Sequence, residues 1–237
     1  MEKLENVVAS NLSEHDVFMQ RCIDLALLGA SFVSPNPMVG AVIVHNGKII
    51  GEGYHKRYGE GHAEVNAVKS VKGEDKHLLN ESTIYVSLEP CFHEGKTPPC
   101  VDLILGLGIP KVVISAVDPN PKVAGKSIEK LRNHGVEVIS GVLEKEGRFI
   151  ARRFFHHFMT KRPYVILKYA QSKDGFLSQM NKQIWLTNPY SKRLVHKWRN
   201  EEAAILVGTN TVKVDNPSLT NRLWFGNSPV RLIIDRR

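Results

Sequence analysis

Apolar runs alternate with amphipathic stretches along the first part of the chain, and this alternation predicts strands and helices in turn. Ser13 is a suitable N-cap for a helix over 14–29, which is expected to end at Gly29. Two strand-like runs then meet at Asn46-Gly47, the strongest short-range signal for a β-hairpin. The next predicted elements are a helix from His62, a strand at "STIYVSLEP", a helix at "CVDLILGLG", a strand at "KVVISAVD", a helix at "GKSIEKLRNHG" and a strand at "VEVIS". Strands that alternate with helices indicate an α/β layered domain with a mainly parallel sheet.

The pattern changes after Gly141. The segment "EKEGRFIARRFFHHFMTKR" predicts a basic amphipathic helix, and Pro163 restarts the chain as a strand, "YVILKYAQS". A helix at "NPYSKRLVHKWRNE" and strands at "AAILVG" and "VRLIID" follow. Residues 163–237 are few for an independent α/β domain. The predicted organisation is therefore a first domain over 1–145, a linker helix over 146–162 and the front part of a second α/β domain over 163–237.

Composition adds constraints on compartment and ligand. The chain has 237 residues, and its 32 Lys and Arg against 24 Asp and Glu give a net charge of +8, which favours anionic ligands. No stretch approaches the roughly twenty apolar residues of a membrane span, and the start of the sequence lacks the order of a secretory signal. We therefore expect a cytoplasmic protein, in which paired cysteines indicate metal binding or catalysis more than a disulfide.

Four residues carry the candidate chemistry. His62 and Glu64 lie in "GHAEVNA", and Cys91 and Cys100 flank the insert in "EPCFHEGKTPPC". One imidazole and two thiolates leave the fourth tetrahedral position of a catalytic zinc ion open for water, and Glu64 is then the candidate proton carrier. A lone H-x-E can be an ordinary helix start, and cysteines can simply fill a core, which is the interpretation that we favour for Cys22.

These motifs resemble a known family. Zinc deaminases share H-x-E followed by P-C-x-x-C, whereas eight residues separate the cysteines here. That insert, together with "SPNPMVGAVIV", "DPNPKVAGKS", "SKDGF", "IWLTNP", "TVKVDNPSLTNR" and "LIIDRR", resembles the bifunctional riboflavin biosynthesis enzymes. Their activities are diaminohydroxyphosphoribosylaminopyrimidine deaminase and 5-amino-6-(5-phosphoribosylamino)uracil reductase.

The resemblance implies a cytidine-deaminase-like three-layer α/β/α domain, followed by part of a dihydrofolate-reductase-like α/β domain. It also implies Zn²⁺ and NADPH as cofactors, a phosphoribosylated pyrimidine as substrate, and a homo-oligomer that binds neither nucleic acid nor membrane. Because this family continues beyond "LIIDRR" into further strands, the reductase part is expected to be truncated.

The resemblance further implies binding residues. In the deaminase part, the positions that match substrate contacts are Asn36, His55 and Lys96. In the reductase part, the positions that match NADPH contacts are Ala170, Trp185, Thr211, Asp215 and Arg236, and those that match substrate contacts are Gln183, Arg199, Leu219 and Arg222. Simpler roles exist for several of them: Asn36 can form a turn, Lys96 can be a solvated loop charge, Trp185 can belong to a core and Arg199 to a helix surface.

Three other functions remain compatible with the sequence. A deaminase of nucleosides or of tRNA adenosine would use the same zinc chemistry on another base. A zinc-stabilised module without catalysis would need the metal ligands but not Glu64. A protein with an active deaminase and an inactive reductase part would retain only the first reaction.

Overall fold

The computed structural model describes residues 13–92, 98–177 and 184–235. The chain divides into two compact units, Met1–Tyr164 and Val165–Arg237. In the described residues, no helix is both long enough and apolar enough to span a bilayer.

The elements of the first unit follow the predicted order closely. They are α1 (Glu14–Leu27), β1 (Gly40–His45), β2 (Lys48–Tyr54), α2 (Ala63–Ser70), a 3₁₀ helix (Gly73–Glu81), β3 (Thr83–Leu88), α3 (Cys100–Gly106), β4 (Lys111–Ala116), α4 (Lys126–Asn133), β5 (Glu137–Ser140), α5 (Glu144–Ile150) and α6 (Arg152–Thr160). Helix α1 ends two residues before Gly29, and the 3₁₀ helix was not predicted from the sequence.

Within the described residues, five strands form one sheet in the order β2-β1-β3-β4-β5. Strand β1 pairs antiparallel with both β2 and β3, whereas β3, β4 and β5 pair in parallel. The prediction of a mainly parallel sheet was therefore wrong for one half of it. The hairpin at Asn46-Gly47 turns the chain straight back and forces β1 and β2 into an antiparallel pair, whereas the antiparallel pairing of β1 with β3 depends on packing across the sheet.

Two apolar layers sandwich the sheet. Alternate side chains of each strand point to opposite faces, so Ile43 packs in one layer while Val42 packs in the other. Helices α2, α3 and α4 contribute to the first layer, and α1 contributes to the second. The result is the expected three-layer α/β/α domain, in which Cys22 is a fully buried core residue, as predicted.

Local sequence signals explain where the first elements begin and turn. Ser13 caps α1 in a reciprocal capping box, since the Ser13 hydroxyl accepts from the Asp16 backbone N–H and the Asp16 carboxylate accepts from the Ser13 backbone N–H. At the hairpin, Asn46 and Gly47 have φ values of 46° and 72°. Two consecutive positive φ values are typical of the type I′ turn, whose twist matches that of the strands.

Gly40 allows α1 to approach the sheet closely. A Cβ atom at this position would lie 2.0 Å from the Cys22 carbonyl oxygen and 2.9 Å from the Ala26 nitrogen. We expect Gly40→Ala to lower the free energy of unfolding by about 1–3 kcal/mol, because the helix backbone must shift. Chemical denaturation of the zinc-loaded protein measures this effect. Gly73→Ala is the matched control, since nothing lies within 4 Å of its added Cβ. Equal stability of the two variants would contradict the packing account.

The predicted linker helix over 146–162 is two helices in the structure. Helix α5 packs against β4, and α6 begins after Ala151, whose φ of −93° and ψ of 14° depart from helical geometry. A single straight helix was therefore the wrong interpretation of this segment. The bend lets Ile150 and Phe155 each reach a different buried cluster.

The second unit contains α7 (Pro189–Glu201), β6 (Ala204–Gly208), α8 (Thr209–Asp215) and β7 (Val230–Ile234), with β6 and β7 paired in parallel. Asn188 caps α7 by accepting from the Ser191 backbone N–H. The strand predicted after Pro163 is absent from the described residues, where 163–172 has no regular structure. A strand needs a hydrogen-bonded neighbour, and β6 pairs only with β7 among the described strands.

Candidate functional site

The three candidate metal ligands come from three different parts of the fold. His62 is the N-cap residue of α2 rather than part of its first turn, with extended backbone angles that place it at the helix entrance. Cys91 lies in the loop after β3, and Cys100 is the first residue of α3. The Cys100 backbone N–H donates to the Cys91 sulfur at 3.2 Å, which joins the two ends of the insert.

The three side chains fit a zinc ion. The His62 Nδ1 atom lies 3.4 Å from the Cys91 sulfur and 3.4 Å from the Cys100 sulfur. All three candidate ligand atoms lie within 4.8 Å of one another. Tetrahedral zinc with ordinary bond lengths separates its nitrogen and sulfur ligands by about 3.6 Å. The donor set and its spacing therefore match a three-ligand zinc site.

The surroundings of the cluster act differently on its three members: the lowered pKa of Cys91 favours the thiolate that zinc binds, whereas the raised pKa values of His62 and Cys100 favour their protonated forms. Hydrogen bonds from Cys100 and His62 hold the pKa of the Cys91 thiol below its ordinary value. Contact with Cys91 raises the pKa of His62. Glu64 lies in the first turn of α2 and is 3% exposed, and burial raises the pKa of its carboxyl. A carboxyl with a raised pKa exchanges protons more readily near neutral pH.

A cavity of about 390 Å³ opens onto this cluster. His62, Glu64 and Cys91 lie in its wall. Of the predicted substrate contacts, Asn36 and His55 also line it, whereas Lys96 falls outside the described residues.

Asn36 and His55 form a connected pair in the cavity wall. The His55 Nδ1 atom lies 3.1 Å from the Gly61 carbonyl oxygen, so this nitrogen carries the proton. The His55 Nε2 atom is then the acceptor for the Asn36 amide N–H at 3.1 Å. Burial lowers the pKa of His55, which favours the same neutral form. The imidazole thus fixes the orientation of the Asn36 amide at the cavity surface.

Sequence reasoning missed several other residues of this wall, among them Asp118, Asn120, Phe154 and Phe158. Asp118 is buried, and desolvation raises the pKa of its carboxyl to about 6. The rings of Phe154 and Phe158 lie 4.7 Å apart between their centroids and belong to α6. Asp118 and Asn120 lie in the motif "DPNPKVAGKS", which was noted only for its family resemblance. No local pattern distinguished Phe154 and Phe158 from ordinary core residues.

A second cavity, of about 260 Å³, lies in the second unit. Its lining includes five of the predicted binding residues, which are Trp185, Arg199, Asp215, Leu219 and Arg222. Ala170 and Thr211 are not among the described lining residues of this cavity, and Gln183 and Arg236 fall outside the described part of the chain. Predicted cofactor contacts and predicted substrate contacts therefore line the same cavity.

Basic groups dominate this second cavity. Lys168, Lys192, Arg199 and Arg222 all line it. Arg199 donates to the Thr220 carbonyl oxygen at 3.1 Å, yet its buried Nε N–H has no hydrogen-bond partner among the described residues. His196 was not predicted from the sequence; it is 1% exposed and accepts from the Arg222 backbone N–H at 2.8 Å. Such a wall suits an anionic ligand.

Both units of the chain are similar in sequence to known proteins. The cytidine and deoxycytidylate deaminase zinc-binding region matches residues 12–116, and the RibD C-terminal domain matches residues 163–237. The riboflavin biosynthesis protein RibD of Actinobacillus pleuropneumoniae is 46% identical over 92% of this chain and 57% of its own length. The corresponding protein of Escherichia coli strain K12 is 40% identical over 94% of this chain and 63% of its own length.

Solved structures give the same result. A diaminohydroxyphosphoribosylaminopyrimidine deaminase/5-amino-6-(5-phosphoribosylamino)uracil reductase from Thermotoga maritima has a TM-score of 0.89 and 47% identity, covering 94% of this chain and 64% of that one. RibD of Acinetobacter baumannii has a TM-score of 0.87 and 37% identity over the same shares. The chain thus spans about three fifths of the length of these relatives.

Proposed function

We propose that the first unit of this chain, which is similar to the riboflavin biosynthesis protein RibD over the residues that it spans, is a zinc-dependent deaminase. Its proposed substrate is the diaminohydroxyphosphoribosylaminopyrimidine named for the Thermotoga maritima relative. The observation that carries this proposal is the buried Glu64 beside the His62, Cys91 and Cys100 cluster in the wall of one cavity.

The proposed mechanism is hydrolytic deamination. His62, Cys91 and Cys100 would hold a zinc ion, which would supply Lewis acidity to lower the pKa of a water molecule toward neutral pH. Glu64 accepts a proton at its carboxylate and passes it to the departing amino group, so that ammonia leaves as the ring carbon gains a carbonyl oxygen. Asn36, held by His55, orients the pyrimidine at the cavity surface through its amide.

For the second unit, we propose NADPH-dependent reduction of the ribosyl group. Support comes from the match of residues 163–237 to the RibD C-terminal domain and from the basic wall of the second cavity. NADPH supplies the hydride, and the positive side chains of Arg199 and Arg222 would hold phosphate groups of a ligand. We retain 1–145, 146–162 and 163–237 as the proposed functional regions. The homo-oligomer and the cytoplasmic location stay predictions.

An assay of the purified, zinc-loaded chain tests both parts of the proposal. We expect stoichiometric release of ammonia from the diaminopyrimidine phosphate without NADPH, and oxidation of added NADPH once the deaminated product accumulates. Ammonia release without NADPH oxidation would support the deaminase and refute the reductase in this chain. Absence of both signals would refute the whole proposal. Release of ammonia from tRNA or free nucleosides in place of this substrate would indicate the competing deaminase function.

The aromatic wall of the first cavity gives a further prediction. We expect Phe158→Ala to raise KM for the diaminopyrimidine phosphate about tenfold with little change in kcat, because stacking of a base on an aromatic ring contributes about 1–3 kcal/mol. Steady-state ammonia release measures both constants. Phe149→Ala is the matched control, since Phe149 is 64% exposed and lies on α5 outside this cavity. Equal KM values for the two variants would remove Phe158 from the binding wall.

A further inference from the structure

Glu89 is a buried acidic residue that the proposed mechanism does not use. It follows β3 directly, two positions before Cys91, and is 3% exposed. Three backbone N–H groups donate to its carboxylate: Asp118 at 3.2 Å and Gly125 at 2.9 Å to Oε2, and Ser127 at 3.2 Å to Oε1. The Glu89 side chain is therefore hydrogen-bonded to both ends of the 117–125 connection between β4 and α4.

A second hydrogen bond links α4 to the loop that carries the candidate metal ligand Cys91. The Ser127 hydroxyl donates to the Pro90 carbonyl oxygen at 2.6 Å, and Ser127 is fully buried. The Pro90 carbonyl belongs to the peptide that leads into Cys91. Glu89 and Ser127 thus form a bridge, the Glu89–Ser127 bridge, between the loop that presents Cys91 and the first turn of α4.

The bridged connection also shapes the substrate cavity. Asp118, Asn120 and Val123 lie within it, and all three line the cavity together with Cys91. The Asp118 carboxylate in turn accepts from the Asn120 backbone N–H at 2.7 Å. The position of this wall relative to Cys91 therefore depends on the hydrogen bonds that Glu89 accepts.

We propose that Glu89 is a positioning residue for the proposed deamination, which sets the 117–125 wall of the cavity against the Cys91 loop. Glu89 itself lies in the cavity wall, but its oxygens are occupied by backbone N–H groups and it is outside the candidate metal cluster, so it acts through the neighbours that it holds. Buried N–H groups that lose their acceptor are destabilised, so the wall should move or loosen without the Glu89 carboxylate. This inference rests on the proposed function for its kinetic consequences.

The direct test is Glu89→Gln in the full chain, since the amide keeps the size of the side chain but turns an NH₂ group toward backbone donors. We expect KM for the diaminopyrimidine phosphate to rise about tenfold and zinc affinity to fall about tenfold, as is usual when groups that support a metal ligand are altered. With zinc at saturation, kcat should change far less than KM. Hydrogen exchange at the Gly125 and Ser127 amides should become faster.

Two further variants make the result decisive. Glu129→Gln is the matched control, since Glu129 is exposed on the same helix α4 and should leave all four readouts unchanged. Ser127→Ala removes only the hydroxyl that donates to the Pro90 carbonyl oxygen and leaves the three N–H groups that donate to Glu89 in place, so it is the milder change and should weaken zinc binding. A zinc-saturated Glu89→Gln protein with wild-type KM and zinc affinity would overturn the proposal, and so would wild-type zinc affinity in Ser127→Ala. If the unaltered chain releases no ammonia, the proposed function fails, while zinc affinity and hydrogen exchange still test the bridge.

Discussion

Glu64→Gln is expected to lower kcat for ammonia release by about 10²- to 10⁴-fold, because the amide cannot accept a proton from water or return it to the leaving group. Zinc content and stability should change little. The side chain keeps its size in its buried position, and the candidate metal ligands are His62, Cys91 and Cys100. Steady-state kinetics with metal analysis of the same sample measures both expectations.

A matched control separates loss of the proton carrier from a general loss of charge. Glu74→Gln alters an exposed glutamate in the 3₁₀ helix, outside the cavity, and should keep wild-type kcat. The alternative of a non-catalytic zinc module makes the opposite prediction for Glu64. Under that alternative, Glu64→Gln would leave zinc content, folding and every measurable function unchanged, and such a result would contradict the assigned role.

Removal of zinc is expected to abolish ammonia release and to destabilise the first unit. A ligand bound at about 1,000 times its Kd stabilises the folded state by about 4 kcal/mol, and that contribution is lost in a chelator. Cys100→Ser should reproduce the effect, since it replaces one of the three ligand atoms of the cluster. Metal analysis, thermal unfolding and activity after zinc is restored measure the result.

The third cysteine supplies the control for zinc binding. Cys22 lies on the buried face of α1, and its sulfur donates to the Tyr85 carbonyl oxygen at 3.4 Å. Cys22→Ala should lower stability through lost packing while it retains a full complement of zinc. Full zinc occupancy in Cys100→Ser, or loss of zinc in Cys22→Ala, would assign the metal to a different set of ligands.

Local patterns were enough to predict most elements of the first unit. The capping signal at Ser13 and the Asn46-Gly47 turn depend on residues that are neighbours in sequence, and both appear in the structure. The direction of β1 within the sheet was predicted less well. A hairpin fixes one antiparallel pair, but the pairing of β1 with β3 depends on packing across the whole sheet.

The second unit shows where such patterns fail. The apolar residues after Pro163 predicted a strand, yet Val165, Leu167 and Tyr169 are 70%, 86% and 67% exposed and carry no strand assignment. An apolar run becomes a strand only when a neighbour accepts its hydrogen bonds, which is information that the run itself does not contain. The same limit applies to the division of the 146–162 segment into two helices.

The candidate site was predictable where its residues lie close together in the sequence. His62 and Glu64 share one helix entrance, and the two cysteines flank one insert, so spacing alone suggested a common metal. Glu89 and Ser127, by contrast, are 38 positions apart and meet only because β3 and β4 are adjacent and parallel. Phe158 joins the cavity wall through the bend before α6, which no local signal predicted.

In the proposed function, water activated beside Glu64 replaces an amino group of a phosphoribosylated pyrimidine. Mass spectrometry of the product formed in water labelled with oxygen-18 tests it most directly. The account predicts one labelled oxygen in the pyrimidine ring product for each ammonia released, and formation of that product about 10²- to 10⁴-fold more slowly by the Glu64→Gln protein. A product without the label, or ammonia release that persists in Glu64→Gln at the wild-type rate, would contradict it.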